Sequence, residues 1–304
     1  MTRETWIEVA LNGPWGQRRQ PRIPITVGDI VEQAVACASA GAAIVHFHAY
    51  DETSGMQRDD WHVYARIIEK IRSRAGVIAY PTIPLAGSSL TGQADSARAR
   101  YRHMDELGAR GLIEWAVVDP GSVNFRRVDA EQRGEAGFVY LNPDEHVEEG
   151  LRVCAEHGLH PSFAIYEPGF ARLGSLLAAK HRNLPCPIYR LMFSDEFAWG
   201  FPPAAYALDA YKALLNDVAP SSPWMVAGLG VDVRPLVQRS VQVGGHVRVG
   251  LEDAHFGCER SNVALVEEAV RLVASSGGQA ATPEAVRRAL SAVTGSAGAV
   301  PARP

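Results

Sequence analysis

The run Gly41-Ala42-Ala43-Ile44-Val45-His46-Phe47-His48 decides how this chain is read. Gly41 fits the stop of a helix that the pattern predicts over Thr26–Ala40, with Thr26 and Asp29 spaced like a capping box at its start. Ile44–His48 is short, apolar and β-branched at its head, which predicts a buried strand. Side chains two apart on a strand share a face, so His46 and His48 leave it side by side. Working outward, further runs of this kind predict strands at Trp6–Ala10, Val77–Tyr80, Ile113–Val117, Pro161–Ile165, Ile188–Met192, Trp224–Ala227 and Val247–Leu251. Helical patterns fall between them at Trp61–Ala75, Ser96–Leu107, Asp144–His157, Phe170–His181, Pro203–Leu215, Arg234–Val243 and Asn262–Ser275.

Unbroken strand–helix alternation predicts an α/β protein with a parallel sheet, and the 304 residues suit a single closed (β/α)₈ TIM barrel spanning 1–304. A doubly wound open sheet is the runner-up, but the first strand is not followed by the glycine fingerprint of a dinucleotide site. The stretch 119–142 is a long insertion with its own short strand at Phe138–Leu141, expected to lie over the active-site face. A Gly/Ala/Pro-rich tail is expected from about residue 294.

Composition limits the function. The chain is 47% hydrophobic and 21% charged with a net charge of −4, which offers no basic stripe for nucleic acid. No apolar run is long enough for a membrane span, and Met1–Thr5 has no signal-peptide character. Four cysteines without a C-x-x-C pair point to no disulfide framework; Cys37 reads as a small buried side chain, and a reducing cytoplasm is the expected setting.

A second motif closes the predicted barrel: Gly245-His246-Val247-Arg248-Val249-Gly250-Leu251-Glu252-Asp253. Active sites of such barrels lie at the C-terminal strand ends, where the second strand ends in His46 and His48 and the eighth in Glu252 and Asp253. Two histidines and a carboxylate form a recurring ligand set for a catalytic zinc, with a position left open. Arg248 is a charge inside an apolar strand and needs a partner, for which Asp253 is the candidate. Asn12 and Gly13 follow the first strand on the same rim. Ser122 and Asn124 follow the fourth in a turn suited to substrate contact, and Glu114 is expected to point inward. His62, His246 and His255 read as loop or surface histidines.

These motifs together resemble the β-keto acid cleavage enzymes, of which the 3-keto-5-aminohexanoate cleavage enzyme is the named type. The matching stretches are Ala10–Gly13, Gly41–His48, Glu114–Phe125, Gly244–Asp253, Ser261-Asn262, Leu265-Val266 and Ala281–Ala285. The resemblance implies a zinc-bearing barrel, usually a homo-oligomer (dimer or tetramer), that condenses a β-keto acid with acetyl-CoA to give acetoacetate and a new acyl-CoA. It implies that His46, His48 and Glu252 hold zinc, that Arg248 and Asp253 form the acid–base pair, and that Thr82 contacts substrate.

Departures from the family pattern bear on the substrate. Tyr50 stands where an arginine is common, Trp15 where amine-handling members place an acid, and Val117 where a threonine is common. Pro84-Leu85 replaces a Gly-Gly, and Pro161-Ser162-Phe163-Ala164-Ile165 lacks the usual acids. Together they imply a pocket with less charge and a neutral, fairly apolar β-keto acid contacting Trp15 and Tyr50. A metal-dependent hydrolase on the same barrel, or a non-catalytic barrel that keeps a metal and binds a small carboxylate or CoA ester, are the competing readings.

Overall fold

Eight apolar runs find each other edge to edge because each is buried on both faces and can satisfy its backbone only in a sheet. The computed structural model describes residues 3–85 and 96–296. Its main sheet is parallel, with strands β1 (Ile7–Ala10), β2 (Ile44–Phe47), β3 (Ile78–Pro81), β4 (Trp115–Val117), β5 (His160–Ile165), β6 (Ile188–Phe193), β7 (Trp224–Gly228) and β8 (His246–Val249). The spatial order is β3-β2-β1-β8-β7-β6-β5-β4, the order of a barrel opened between β3 and β4. Across that seam Tyr80 and Trp115 pack with ring centroids 5.6 Å apart. The expected α/β barrel is therefore the observed fold.

The eight expected strands and eight expected helices are all present, with ends shifted by up to a few residues. The Thr26 side chain accepts from the Asp29 N–H and its hydroxyl donates to the Asp29 carboxylate at 2.7 Å, so the start of the helix Val27–Ser39 is capped as read. The insertion carries an antiparallel pair, Val123–Phe125 with Phe138–Tyr140. Several elements had no clear signal in the sequence, among them the short helix Ala130–Arg133 in the insertion. A two-stranded parallel sheet joins Arg3–Thr5 to Gly278–Ala280. A short hairpin pairs Tyr50–Asp51 with Met56–Gln57. A helix runs over Pro283–Ser296, with most of the expected tail beyond it outside the described residues.

One glycine sets the geometry of the closing turn. Gly250 has φ +139°, and a Cβ there would lie 2.0 Å from the Ala10 carbonyl oxygen. Only glycine lets the chain leave β8 this close to β1. The turn then anchors on the same carbonyl, since Glu252 N–H donates to Ala10 O at 3.2 Å. Registers Arg248↔Glu8 and Ala10↔His46 complete the path from β8 through β1 to β2.

Glu114 departs from its expected place. It precedes β4, lies exposed at the N-terminal end of the barrel, and pairs with Arg287 of the last helix at 2.7 and 2.8 Å. A residue before the strand's first rung sits at the end opposite the site, so Glu114 is a surface ion-pair residue there.

Candidate active site

β2 delivers His46 and His48 to one rim, and the Gly250 turn brings Glu252 to meet them. His46 Nε2 and His48 Nε2 each lie 3.5 Å from Glu252 Oε2. All three side chains are buried, and their ligand atoms lie within 4.8 Å of one another. His48 Nδ1 is 2.8 Å from Gln57 Oε1, and the Gln57 amide donates to Asp59 at 2.9 and 3.0 Å. With its amide so committed, Gln57 accepts, so His48 donates through Nδ1 and turns a lone pair on Nε2 toward Glu252. Burial, reinforced by Arg248, His48 and Arg190, holds the His46 pKa well below the usual range against the pull of Glu252, so that ring is neutral. Burial works to raise the Glu252 carboxyl, but Arg248, His46 and His48 outweigh it and keep it well below the carboxylate range.

The donor set fits a divalent cation. His48 Nε2 and Glu252 Oε2 are both buried without a hydrogen-bond partner. Two acceptors facing each other in the interior cost free energy unless a cation lies between them. Two imidazole nitrogens and a carboxylate oxygen with an open side match the chemistry of zinc.

Arg248 ties this cluster to its neighbours. Its Nη2 lies 2.9 Å from Glu252 Oε1 and 2.8 Å from Asp253 Oδ1, its Nε donates to Asp253 at 3.0 and 3.2 Å, and its Nη1 reaches Glu8 at 3.2 Å. The expected Arg248–Asp253 pair is thus present, embedded in a larger network that includes Tyr80 donating to Glu8 at 2.7 Å. Burial pushes the Asp253 carboxyl up to about 6 even though Arg248 opposes it.

The triad opens onto a cavity of about 270 Å³. Trp15, Thr82 and Val117 line it, as do Met56, Leu85, Phe125, Phe138 and Tyr166. Trp15 also donates its indole N–H to the Glu252 carbonyl at 3.1 Å. Asp253 borders a separate cavity of about 290 Å³, between β7, β8 and the helices that follow them.

Three expected contacts are placed differently. Asn12 is fully buried and uses its amide on the backbone of His48 (2.8 and 2.9 Å) and Pro24 (2.9 Å), so it positions His48 rather than substrate. Tyr50 donates to the Gly13 carbonyl and packs with Ile23 and Leu251, away from the cavity wall. Ser122 accepts from the Asn142 N–H at 2.8 Å and ties the two ends of the insertion together. In each case a backbone group already bonds the side chain, and none of the three lines the cavity.

The cavity also keeps buried charge that the departures in sequence did not foretell. Asp119 and Arg190 both line it, 3.5 Å apart. Asp119 accepts from Tyr140 OH at 2.5 Å and from Ala164 N–H at 3.2 Å. Arg190 carried the same signal as Arg248, a lone charge in an apolar strand; Gln57 carried none.

Residues 4–291 match the model of a family described as beta-keto acid cleavage enzyme. The chain belongs to that family. Membership makes it an enzyme. The chain is 28% identical to the 3-dehydrocarnitine:acetyl-CoA trimethylamine transferase of Rhizobium meliloti (strain 1021), covering 95% of this chain and 97% of that one. It is 26% identical to a 3-keto-5-aminohexanoate cleavage enzyme of Fusobacterium nucleatum subsp. nucleatum, covering 90% and 93%. Among solved structures, ObcA in binary complex with oxaloacetate superposes with a TM-score of 0.69 at 17% identity, over 89% of this chain and 67% of that one, a likeness of fold. No helix among the described residues is long and apolar enough to cross a membrane.

Proposed function

We propose that the protein transfers the acyl part of a neutral, fairly apolar β-keto acid to CoA, using acetyl-CoA and releasing acetoacetate. The observation that carries this reading is the buried triad, in which His48 Nε2 and Glu252 Oε2 face each other unpartnered beside the Arg248–Asp253 pair. His46, His48 and Glu252 would hold zinc. When bound, the zinc would supply a Lewis acid for the substrate's ketone oxygen.

Asp253 removes a proton from C2 of the keto acid, for which a carboxyl near 6 is suited at neutral pH. Arg248 fixes that carboxylate through Nε and Nη2 and links it to Glu252. Asp253 does not line this cavity, so the C2 methylene has to come in beside Glu252, the member of the Glu252–Arg248–Asp253 network that does. The carbon nucleophile attacks the acetyl thioester and expels CoA thiolate. The thiolate adds to the C3 ketone, the C2–C3 bond breaks, Asp253 returns its proton to the C2 carbanion, and acetoacetate leaves with a new acyl-CoA behind it.

Trp15, Leu85, Phe125, Phe138 and Leu229 support an apolar side chain on the substrate. Asp119 accepts from Tyr140 and Ala164 and faces Arg190 3.5 Å away, so an ammonium group beside it would also meet a guanidinium. Apolar side chains left exposed on the insertion, Val128, Phe138, Val139 and Leu141, support a homo-oligomer. The free cysteines Cys37, Cys154, Cys186 and Cys258 suit a cytoplasmic setting.

The test is a panel of β-keto acids incubated with the zinc-loaded enzyme, with and without acetyl-CoA, read by mass spectrometry. Acetoacetate and a matched acyl-CoA should appear only with acetyl-CoA, fastest for neutral apolar side chains. Product without the thioester would favour a hydrolase, and preference for a cationic side chain would overturn the apolar pocket.

A further inference from the structure

A β-keto acid brings a carboxylate into the barrel, and that charge needs a partner. Two arginines line the cavity: Arg19 is exposed, and Arg190 is 3% exposed. Arg190 stands in the middle of β6, opposite Ala164 of β5 and Met225 of β7. Its Nη2 donates to the Ser162 carbonyl at 3.1 Å. Its Nε is buried without a partner, and among its nitrogens only Nη2 bonds to a described residue. The nearest acid, Asp119, is 3.5 Å from Nη2. That is longer than the roughly 2.7–2.9 Å of a charge-assisted bond, and Tyr140 and Ala164 already occupy the Asp119 oxygens.

Among the described residues, Arg190 is therefore a buried guanidinium with one bonded nitrogen and an unpartnered Nε. Such a group is costly in the interior unless something anionic meets it. A guanidinium presents a rigid fork that matches a carboxylate. Arg248, the other buried arginine of the site, has no such capacity, since Glu8, Glu252 and Asp253 take its nitrogens.

We propose that Arg190 binds the carboxylate of the keto acid and sets the substrate's orientation over the His46–His48–Glu252 cluster. The assignment rests on the β-keto acid reading given above. It gives the cavity two ends: Arg190 takes the charged group, and the aromatic wall takes the side chain. Arg19, exposed, is left for a group outside the cavity.

The experiment compares binding of acetoacetate with that of its neutral counterpart acetoacetamide, by calorimetry, to zinc-loaded wild type, Arg190→Met and Arg190→Lys. Arg190→Met should bind acetoacetate roughly ten- to a hundredfold more weakly, with acetoacetamide affinity and zinc content unchanged. Arg190→Lys should recover part of the loss. KM for the keto acid should rise in step, with KM for acetyl-CoA unmoved. Equal weakening of both ligands, or none, would overturn the assignment and make Arg190 structural. Should Arg190→Met not fold, Arg190→Gln, which keeps a polar head, is judged by the same difference between the two ligands. A wild type that turns over keto acids yet binds acetoacetate no better than acetoacetamide refutes Arg190 alone. A wild type that turns over none refutes the proposed reaction and leaves the binding comparison to judge Arg190.

Discussion

Replacing Gln57 by leucine tests how the His46–His48–Glu252 cluster is prepared for a cation. Gln57 lies on the small hairpin after β2, with its carbonyl 2.8 Å from His48 Nδ1 and its amide committed to Asp59. Asp59 is held in turn by Tyr64 OH at 3.0 Å. This chain leaves His48 one tautomer, with the proton on Nδ1 and the lone pair on Nε2. Leucine removes the acceptor, and the ring is free to move its proton to Nε2, which blocks ligation. Outer-shell partners of this kind are worth roughly ten- to a hundredfold in metal affinity, or about 1.4–2.7 kcal/mol. Gln57 is only partly buried, so the fold should persist. Competition against a chromophoric chelator near neutral pH should show zinc bound ten- to a hundredfold more weakly by Gln57→Leu, with an unchanged circular dichroism spectrum. Wild-type zinc affinity in that variant would show that His48 is not a ligand through Nε2.

Three further outcomes follow from the same geometry. Asp253→Asn should lower turnover by roughly 10²–10⁴-fold while zinc stays bound; near-normal turnover would remove Asp253 from the proton transfer. Gly13→Ala puts a Cβ 2.7 Å from Glu252 Cγ at a φ of +65°, which should cost about 1–2 kcal/mol and weaken zinc binding. A variant matching wild type in both melting temperature and zinc affinity would refute the tight approach of that loop. His246 accepts the Trp6 N–H on Nδ1 at 3.1 Å and stacks on its ring, and burial, aided by Arg3, depresses its pKa to about 3. An unfolded histidine protonates near 6.5, so the unfolded state binds the extra proton between there and about 3. Stability is full above that window and falls with decreasing pH inside it, by up to about 1.4 kcal/mol per unit. Denaturation at pH values on either side of neutral should show less acid loss in His246→Gln; equal losses would exclude this histidine as a source.

The barrel was legible because parallel strands buried on both faces leave continuous apolar runs, as at Ile44–Phe47 and Ile188–Phe193. The triad was legible for two reasons: a strand's period of two pairs His46 with His48, and a strand end marks Glu252. What stayed hidden depends on register or on approach between distant segments. Glu114 sits one residue before its strand and so belongs to the far end of the barrel, joined to Arg287, 173 positions along. Asn12 and Tyr50 are polar and near the rim, yet nearby backbone claims them before substrate can. Gln57 reaches His48 only because the hairpin folds back, and nothing local in its sequence marks that contact. The helix Pro283–Ser296 begins after a short strand whose partner lies at the other end of the chain.

The central claim is that His46, His48 and Glu252 share one cation. Metal analysis with X-ray absorption on protein stripped and reloaded with zinc tests it most directly. One zinc per chain with two imidazole ligands, lost in Glu252→Ala and in His46→Ala, is the predicted result. Protein that takes up no stoichiometric zinc, or holds it equally well in both variants, would contradict the account.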